Sequence, residues 1–216
     1  MALFADRRAA GEALAEALAP WRGTDAVVLG IPRGGVVVAA AVASALGLPL
    51  DGVVVRKLGA AGQEEFAVGA IADGVRIVTP RAVRWAGMSA HDLERVETAE
   101  REELARRTGA YGVGADDLRT RTAIVIDDGV ATGSTAIAAC RAVRARHPER
   151  LVLAVPVAPA DWHPPPDAAD EYVCAHPEQD FWAVGQYYDD FAQTSDGEVV
   201  ALLRNASTGS ATEPGR

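Results

Sequence analysis

Two adjacent acids, Asp127 and Asp128, stand between an apolar run and a loop of glycines and hydroxyls in "TAIVIDDGVATGST", Thr122 to Thr135. An ionised carboxylate only accepts hydrogen bonds, so a vicinal pair suits a ligand with vicinal donors, such as the hydroxyls of a ribose. The next residues suit the opposite charge. Gly129 and Gly133 free the backbone to turn its N–H groups inward. With the hydroxyls of Thr132, Ser134 and Thr135 and a helix N-terminus, those groups form a phosphate cradle. Two carboxylates repel a phosphate, so the acids and the cradle address different parts of a ligand. A bare "DDG" more often just ends a strand and caps a helix, and the longer string is what favours a site. A triphosphate loop would need a Gly-Lys-Ser/Thr ending and a dinucleotide site G-x-G-x-x-G, and both are missing. A phospho-acceptor domain would need a downstream lysine, and none follows Lys57.

The elements that hold these residues read as strand, loop and helix. Ala123 to Ile126 is short, β-branched and without polar alternation, as a parallel strand buried on both faces requires. From Ser134 to Arg146 small and apolar residues recur at helical spacing, with Ser134 or Thr135 as cap and Arg144 and Arg146 complementing the dipole. Strands at Ala26–Ile31, Gly52–Arg56 and Leu151–Val157 and a helix at Gly35–Leu46 extend the alternation into an α/β, doubly wound, mostly parallel sheet. Such sheets bind ligands at the carboxyl ends of strands. Two further candidates fall at strand ends. In "IPRGG", Gly34 and Gly35 let a ligand approach the backbone and Arg33 offers a fork of donors for a diphosphate; an ordinary strand-to-helix turn is the alternative. In "VVVRKLG", Arg56 is followed by Lys57, the one lysine among 21 basic residues, which suits either a site needing a compact ammonium or a solvated position.

With 216 residues, half of them apolar, the chain fits one α/β domain with modest additions. Its net charge of −9 argues against a general nucleic-acid binder, which would need a basic face. No stretch is long and apolar enough to span a membrane, and "MALFADRRAAGEALAEAL" is an amphipathic helix pattern without a signal-peptide cleavage region. Two cysteines, Cys140 and Cys174, fit a reducing cytoplasm. "CAH" at Cys174 to His176 lacks a second half, so no protein-bound metal is expected. "FAVGAIADGVRIV" reads as a hairpin turning at Asp73-Gly74. Ser89 to Arg107 is an acid-rich inserted helix, solvated and open to a subunit contact. "DWHPPPD" is a stiff connector. "DFWAVGQYYDDF", Asp180 to Phe191, is unusually aromatic for a chain with 6% aromatics, and suits a buried cover, a platform for a planar base, or both. The domain is expected to span 1–204, with a carboxyl-terminal hood at about 174–203 and a disordered tail at 205–216.

"IVIDDGVATGST" resembles the 5-phosphoribosyl 1-diphosphate (PRPP) signature of type I phosphoribosyltransferases, and nearly the whole chain looks like an uncharacterised subgroup of them. The resemblance implies that Asp127 and Asp128 take the ribose hydroxyls, and that Gly129 and the run Ala131, Thr132, Gly133, Ser134 and Thr135 take the 5-phosphate. It makes "IPRGG" the pyrophosphate loop, with a non-proline cis peptide between Pro32 and Arg33 and with Gly34 and Gly35 against PRPP. Arg56 and Lys57 would open a loop, Leu58 to Glu65, that closes over PRPP; Ala61 and Glu64 stand where the subgroup carries prolines. Arg33, Arg56 and Lys57 would offset charge on the diphosphate, with Mg²⁺ held mainly by PRPP and water. The implied reaction transfers the phosphoribosyl group to a small nitrogenous acceptor, in a protein open to homo-oligomer formation. "FWAVGQYYDDF" is similar to a segment of hypoxanthine-guanine transferases, which would place Phe181 or Trp182 on a planar acceptor and the Val184 backbone at its edge. Those enzymes set a lysine ahead of the segment, whereas Val157 to Asp180 here contains no basic residue except two histidines. A regulator that binds PRPP without turnover is the alternative. A nucleotide hydrolase would need a water-activating cluster that the sequence lacks.

Overall fold

Short apolar strands with both faces covered build the main sheet. Its order is β2 (Leu50–Gly52), β1 (Val27–Gly30), β6 (Thr122–Ile126), β7 (Arg150–Pro159) and β8 (Glu171–Glu178), and every neighbouring pair is parallel. The computed structural model describes residues 2–60, 63–114 and 117–209. Alternate side chains divide between two cores, as the strand period requires. Val28, Ile124, Ile126 and Val152 face helices α1 (Arg7–Ala17), α2 (Gly34–Leu46) and α6 (Asp196–Gly209). Val27, Leu29, Val125 and Leu153 face α5 (Ser134–Arg144). Burying such strands whole stabilises the sheet by about 1.5–3 kcal/mol per large side chain and fixes where their carboxyl ends emerge.

Between β2 and β6 the chain makes a long excursion. It carries a second, antiparallel sheet of β3 (Val55–Ala60), β4 (Gln63–Ala72) and β5 (Val75–Val78), then α3 (Pro80–Trp85) and α4 (Ala90–Tyr111). The hairpin turns at Asp73-Gly74 as expected, with Ala72 opposite Val75 and Gly74 at φ +67°. Ser89 caps α4 in a reciprocal box with Asp92, and the helix ends on left-handed Gly112, beyond the expected Arg107. Arg56 pairs with Glu100 at 2.6 Å and Arg76 with Glu97 at 2.8 Å, tying α4 to the second sheet. At the base of the excursion Asp51 accepts from the backbone N–H of Gly52 at 2.7 Å and of Gly114 at 3.0 Å.

Several expectations change. The single strand expected at Gly52–Arg56 is two, in different sheets; Val53 and Val54 continue the apolar run because they stay buried while the chain crosses. The segment expected to be a closing loop, Leu58 to Glu65, begins in β3 and ends in β4, with pairing shifted at Gly59 and Ala60; Ala61 lies outside the described residues. The helix after the acids is capped by Gly133, not by Ser134 or Thr135. The hood cannot begin at 174, because β8 completes the main sheet beside β7. Helix α6 continues through Asn205 to Gly209, anchored by buried Val199 and Leu203, so order extends past the expected start of the tail; residues 210–216 lie outside the described residues. Among the described residues no helix is long and apolar enough to cross a membrane.

Candidate functional site

Two strand ends meet at Asp127 and Asp128. β6 stops at Ile126, and the acids follow directly. β1 delivers "IPRGG" beside them, held by a hydrogen bond from Ile31 N–H to the Ile126 carbonyl at 2.9 Å. The Pro32–Arg33 peptide is cis. A Cβ on Gly35 would lie 2.9 Å from the Asp127 Cα, and one on Gly34 would lie 2.0 Å from Asp128 Oδ2. The second loop can therefore lie against the acids only because both positions lack a side chain.

The loop after the acids walls a cavity of about 190 Å³ with Gly129, Ala131, Thr132, Gly133, Ser134 and Thr135. That space suits a phosphate-sized group better than a whole nucleotide. Gly133 has φ +78°, which lets the loop turn into α5, and the hydroxyls of Thr132 and Ser134 lie 3.1 Å apart. Asp127 and exposed Lys57 line the same cavity from opposite elements, and Val184 closes a further side. Trp162, from the Pro-rich connector, packs its ring over Gly133 and donates from Nε1 to the Thr132 carbonyl at 3.4 Å.

The acids differ in their surroundings. The Asp127 Oδ1 accepts from the Asp128 N–H at 2.9 Å. Burial, and then the neighbouring Asp128 charge, push Asp127 up to about 8. Asp128 receives Nε of Arg7 on Oδ2 at 2.8 Å, and Tyr188 donates its hydroxyl to the Asp128 carbonyl. Burial raises Asp128 too, while the Arg7 guanidinium pulls against that rise.

The remaining expected residues disperse. Arg33 reaches Asp196 at the start of α6, at 3.8 Å, and Asp196 also accepts from the Tyr111 hydroxyl at 2.6 Å. Arg56 is held by Glu100, so of the two basic residues after the strand only Lys57 faces the cavity. Phe181 packs on Tyr187 with ring centroids 5.2 Å apart, whereas Trp182 is 89% exposed. Phe181 and Val184 belong to a hood in which Tyr187 and Tyr188 pack on Phe4 beside α1. Arg7, Tyr188, Trp162 and Asp196 escape a reading of the sequence, since each meets the site through tertiary contact. The aromatic run did mark the neighbourhood of Tyr188; nothing in the sequence marked Arg7.

An acid pair at the end of a parallel strand, a glycine- and hydroxyl-rich loop beside it and a second glycine loop against it stand together at the carboxyl ends of an α/β sheet. The phosphoribosyl transferase domain model matches residues 5–192, and the chain belongs to that family. Curated proteins from the CDC 1551 and H37Rv strains of Mycobacterium tuberculosis, each provisionally named a phosphoribosyl transferase, are 48% identical over 210 residues, 95% of this chain. The chain spans about half the length of these relatives, 47%. The crystal structure of TT1426 from Thermus thermophilus superposes with a TM-score of 0.73 at 44% identity, covering 94% of this chain and 98% of that one. A hypothetical protein from Neisseria gonorrhoeae with bound ppGpp shares the fold, with a TM-score of 0.52 at 15% identity over 94% of this chain and 92% of its own.

Proposed function

We propose that the chain transfers the 5-phosphoribosyl group of PRPP to a small nitrogenous acceptor. The observation that carries this reading is the shared cavity of Asp127, Lys57 and the Gly129–Thr135 loop, with the neighbouring glycine loop packed against the acids. The backbone and hydroxyls of Thr132 to Thr135 bind the 5-phosphate, and Asp127 and Asp128 accept from the ribose hydroxyls. An acceptor nitrogen then uses its lone pair to form a bond to C1, while the bond from C1 to the diphosphate oxygen breaks and its electrons leave with diphosphate. Positive charge grows at C1 and negative charge on the leaving group, so positioning and electrostatics supply the rate and no protein nucleophile is required. Lys57, and Arg33 once released from Asp196, offset the leaving charge; Arg56 contributes by fixing the strand that carries Lys57.

Among the described residues no three acidic, histidine or cysteine side chains cluster as a cation cage. The two carboxylates beside a phosphate cradle fit Mg²⁺ that takes most of its ligands from PRPP oxygens and water. Bound there, Mg²⁺ would neutralise the diphosphate. Trp182 is the ring available to stack on a planar acceptor.

The test is diphosphate release from PRPP and Mg²⁺ across purines, pyrimidines and simple amines, with PRPP binding followed by calorimetry. Binding with acceptor-dependent release supports the enzyme. Binding without release for any acceptor supports a PRPP-binding regulator, and absence of binding refutes both.

A further inference from the structure

Arg7 lies outside every motif that marks the site, yet its guanidinium bonds directly to the acid pair. It stands in the first turn of α1, and its side chain is only 12% exposed. Three contacts fix the guanidinium. Its plane lies over the Phe191 ring at 3.9 Å, Nη1 donates to the Ala192 carbonyl at 2.7 Å, and Nε donates to Asp128 Oδ2 at 2.8 Å. Gly34 presses on the same pair, since a Cβ there would lie 2.6 Å from Arg7 Nε. Such a guanidinium loses little freedom in forming its bonds, and the ring beneath it favours retention of its charge in place.

The geometry points to a positioning role: Arg7 holds the second ribose acid in one rotamer and links that acid to the hood that would cover the acceptor. This inference rests on the proposed PRPP site. Nε occupies one oxygen of the Asp128 carboxylate, so the other keeps its capacity to accept from a ribose hydroxyl. The charged groups around the acid come from several elements. Asp127 adjoins it at the end of β6 and is itself raised by the Asp128 charge. Lys57 on β3 acts on Asp127, the Tyr188 phenol meets the Asp128 backbone, and Glu198 on α6 interacts with Arg7. Of these groups it is Arg7 that bonds the Asp128 carboxylate itself. Without it, the Asp128 carboxylate would lose its partner on Oδ2 and its tie to the hood, and would be free to turn away from a ribose hydroxyl.

The experiment measures PRPP affinity with Mg²⁺ by calorimetry, with thermal unfolding alongside, in the full chain and in Arg7→Gln, Arg7→Lys and Phe191→Leu. Losing the charged hydrogen bond that fixes Asp128, Arg7→Gln should raise the Kd about tenfold or more. Arg7→Lys restores a cation beside Oδ2 and should recover most of the affinity. Phe191→Leu keeps the charge but loosens its seat, and should show a smaller deficit. It also decides the matter if Arg7→Gln does not fold. A purely structural role predicts deficits that follow the loss of melting temperature, with no recovery in Arg7→Lys. That result, or wild-type affinity in the folded variants, overturns the inference while leaving the PRPP site standing. A wild-type chain that binds no PRPP overturns both.

Discussion

Adding a single carbon at Gly34 should break the contact between the two loops. A Cβ there would stand 2.0 Å from Asp128 Oδ2, 2.8 Å from Asp128 Cγ and 2.6 Å from Arg7 Nε. Ordinary contact begins at 3.4 Å, so the carboxylate oxygen must retreat by more than an ångström. It cannot do so and keep Arg7, which is pinned on its far side by Phe191 and Ala192. Overpacking of this kind costs about 1–3 kcal/mol. Opposing it, alanine is better than glycine inside a helix by up to about 1 kcal/mol, and Gly34 opens α2. The clash should win, and Gly34→Ala should lower the melting temperature by roughly 2–8 °C, since about 1 kcal/mol is worth 2–4 °C at this size. The assay is a double-mutant cycle in thermal and urea unfolding. In an Asp128→Ala background the offending oxygen is gone and Arg7 can swing aside, so Gly34→Ala should become neutral or stabilising. Equal costs in the two backgrounds would refute the argument, because distant independent changes add within about 0.5 kcal/mol and these must not.

Replacing Asp127 and Asp128 together by asparagine should abolish PRPP binding in calorimetry with the circular dichroism spectrum unchanged; unaltered affinity in the folded double variant would remove the acids from the site. The two amides should also melt relatively higher as the pH rises. An acid whose folded pKa, about 8 for Asp127, exceeds its unfolded value of 3.8 costs stability increasingly through that interval. The same shift gives the binding reaction a sign. Ribose hydroxyls need ionised acceptors, so PRPP should release protons on binding and bind more tightly from about pH 6 up to about 8, which calorimetry in buffers of different ionisation heat will detect; zero proton release near pH 7 would contradict it. Trp182→Ala should raise the KM of a planar acceptor about ten- to a hundredfold with PRPP binding little changed, from a stacking term of roughly 1–3 kcal/mol. An unchanged KM would make the exposed indole irrelevant to the acceptor.

The strand, loop and helix around the acids were legible because the pattern is local: strand, acids, glycines and hydroxyls follow one another within Thr122 to Thr135, and the backbone alone brings them together. The cis bond at Pro32–Arg33 agrees with an expectation that came from family resemblance. What the sequence hid depends on distance along the chain. Arg7 meets Asp128 across 121 positions and Tyr188 meets it across 60, and neither pairing leaves a periodic trace. The strand expected at Gly52–Arg56 misled because an unbroken apolar run serves equally well for a strand and for a buried crossing between sheets. β8 passed for part of the hood because "EYVCAHPE" is half-buried along most of its length at the sheet edge, so it has neither the apolar run of a central strand nor a clean alternation. Helix α6 runs past the expected start of the tail at 205 because its apolar anchors, Val199 and Leu203, lie within the two turns before that point.

Asp51 gives the excursion between the two halves of the main sheet a drawstring. Its carboxylate gathers the strand that departs at Gly52 and the chain that comes back at Gly114, and Val113 packs directly on Gly52. Beyond this knot the ends are already together, and lengthening a closed loop twofold costs only about 0.6 kcal/mol. Meanwhile β1 pairs with β6 without help from anything in between. The excursion is thereby tethered at its base: its length can change at the tips, while the residues that pack on the main cores, Ile71 and Leu104 in one and Ala72 in the other, tie its position to that of the acids.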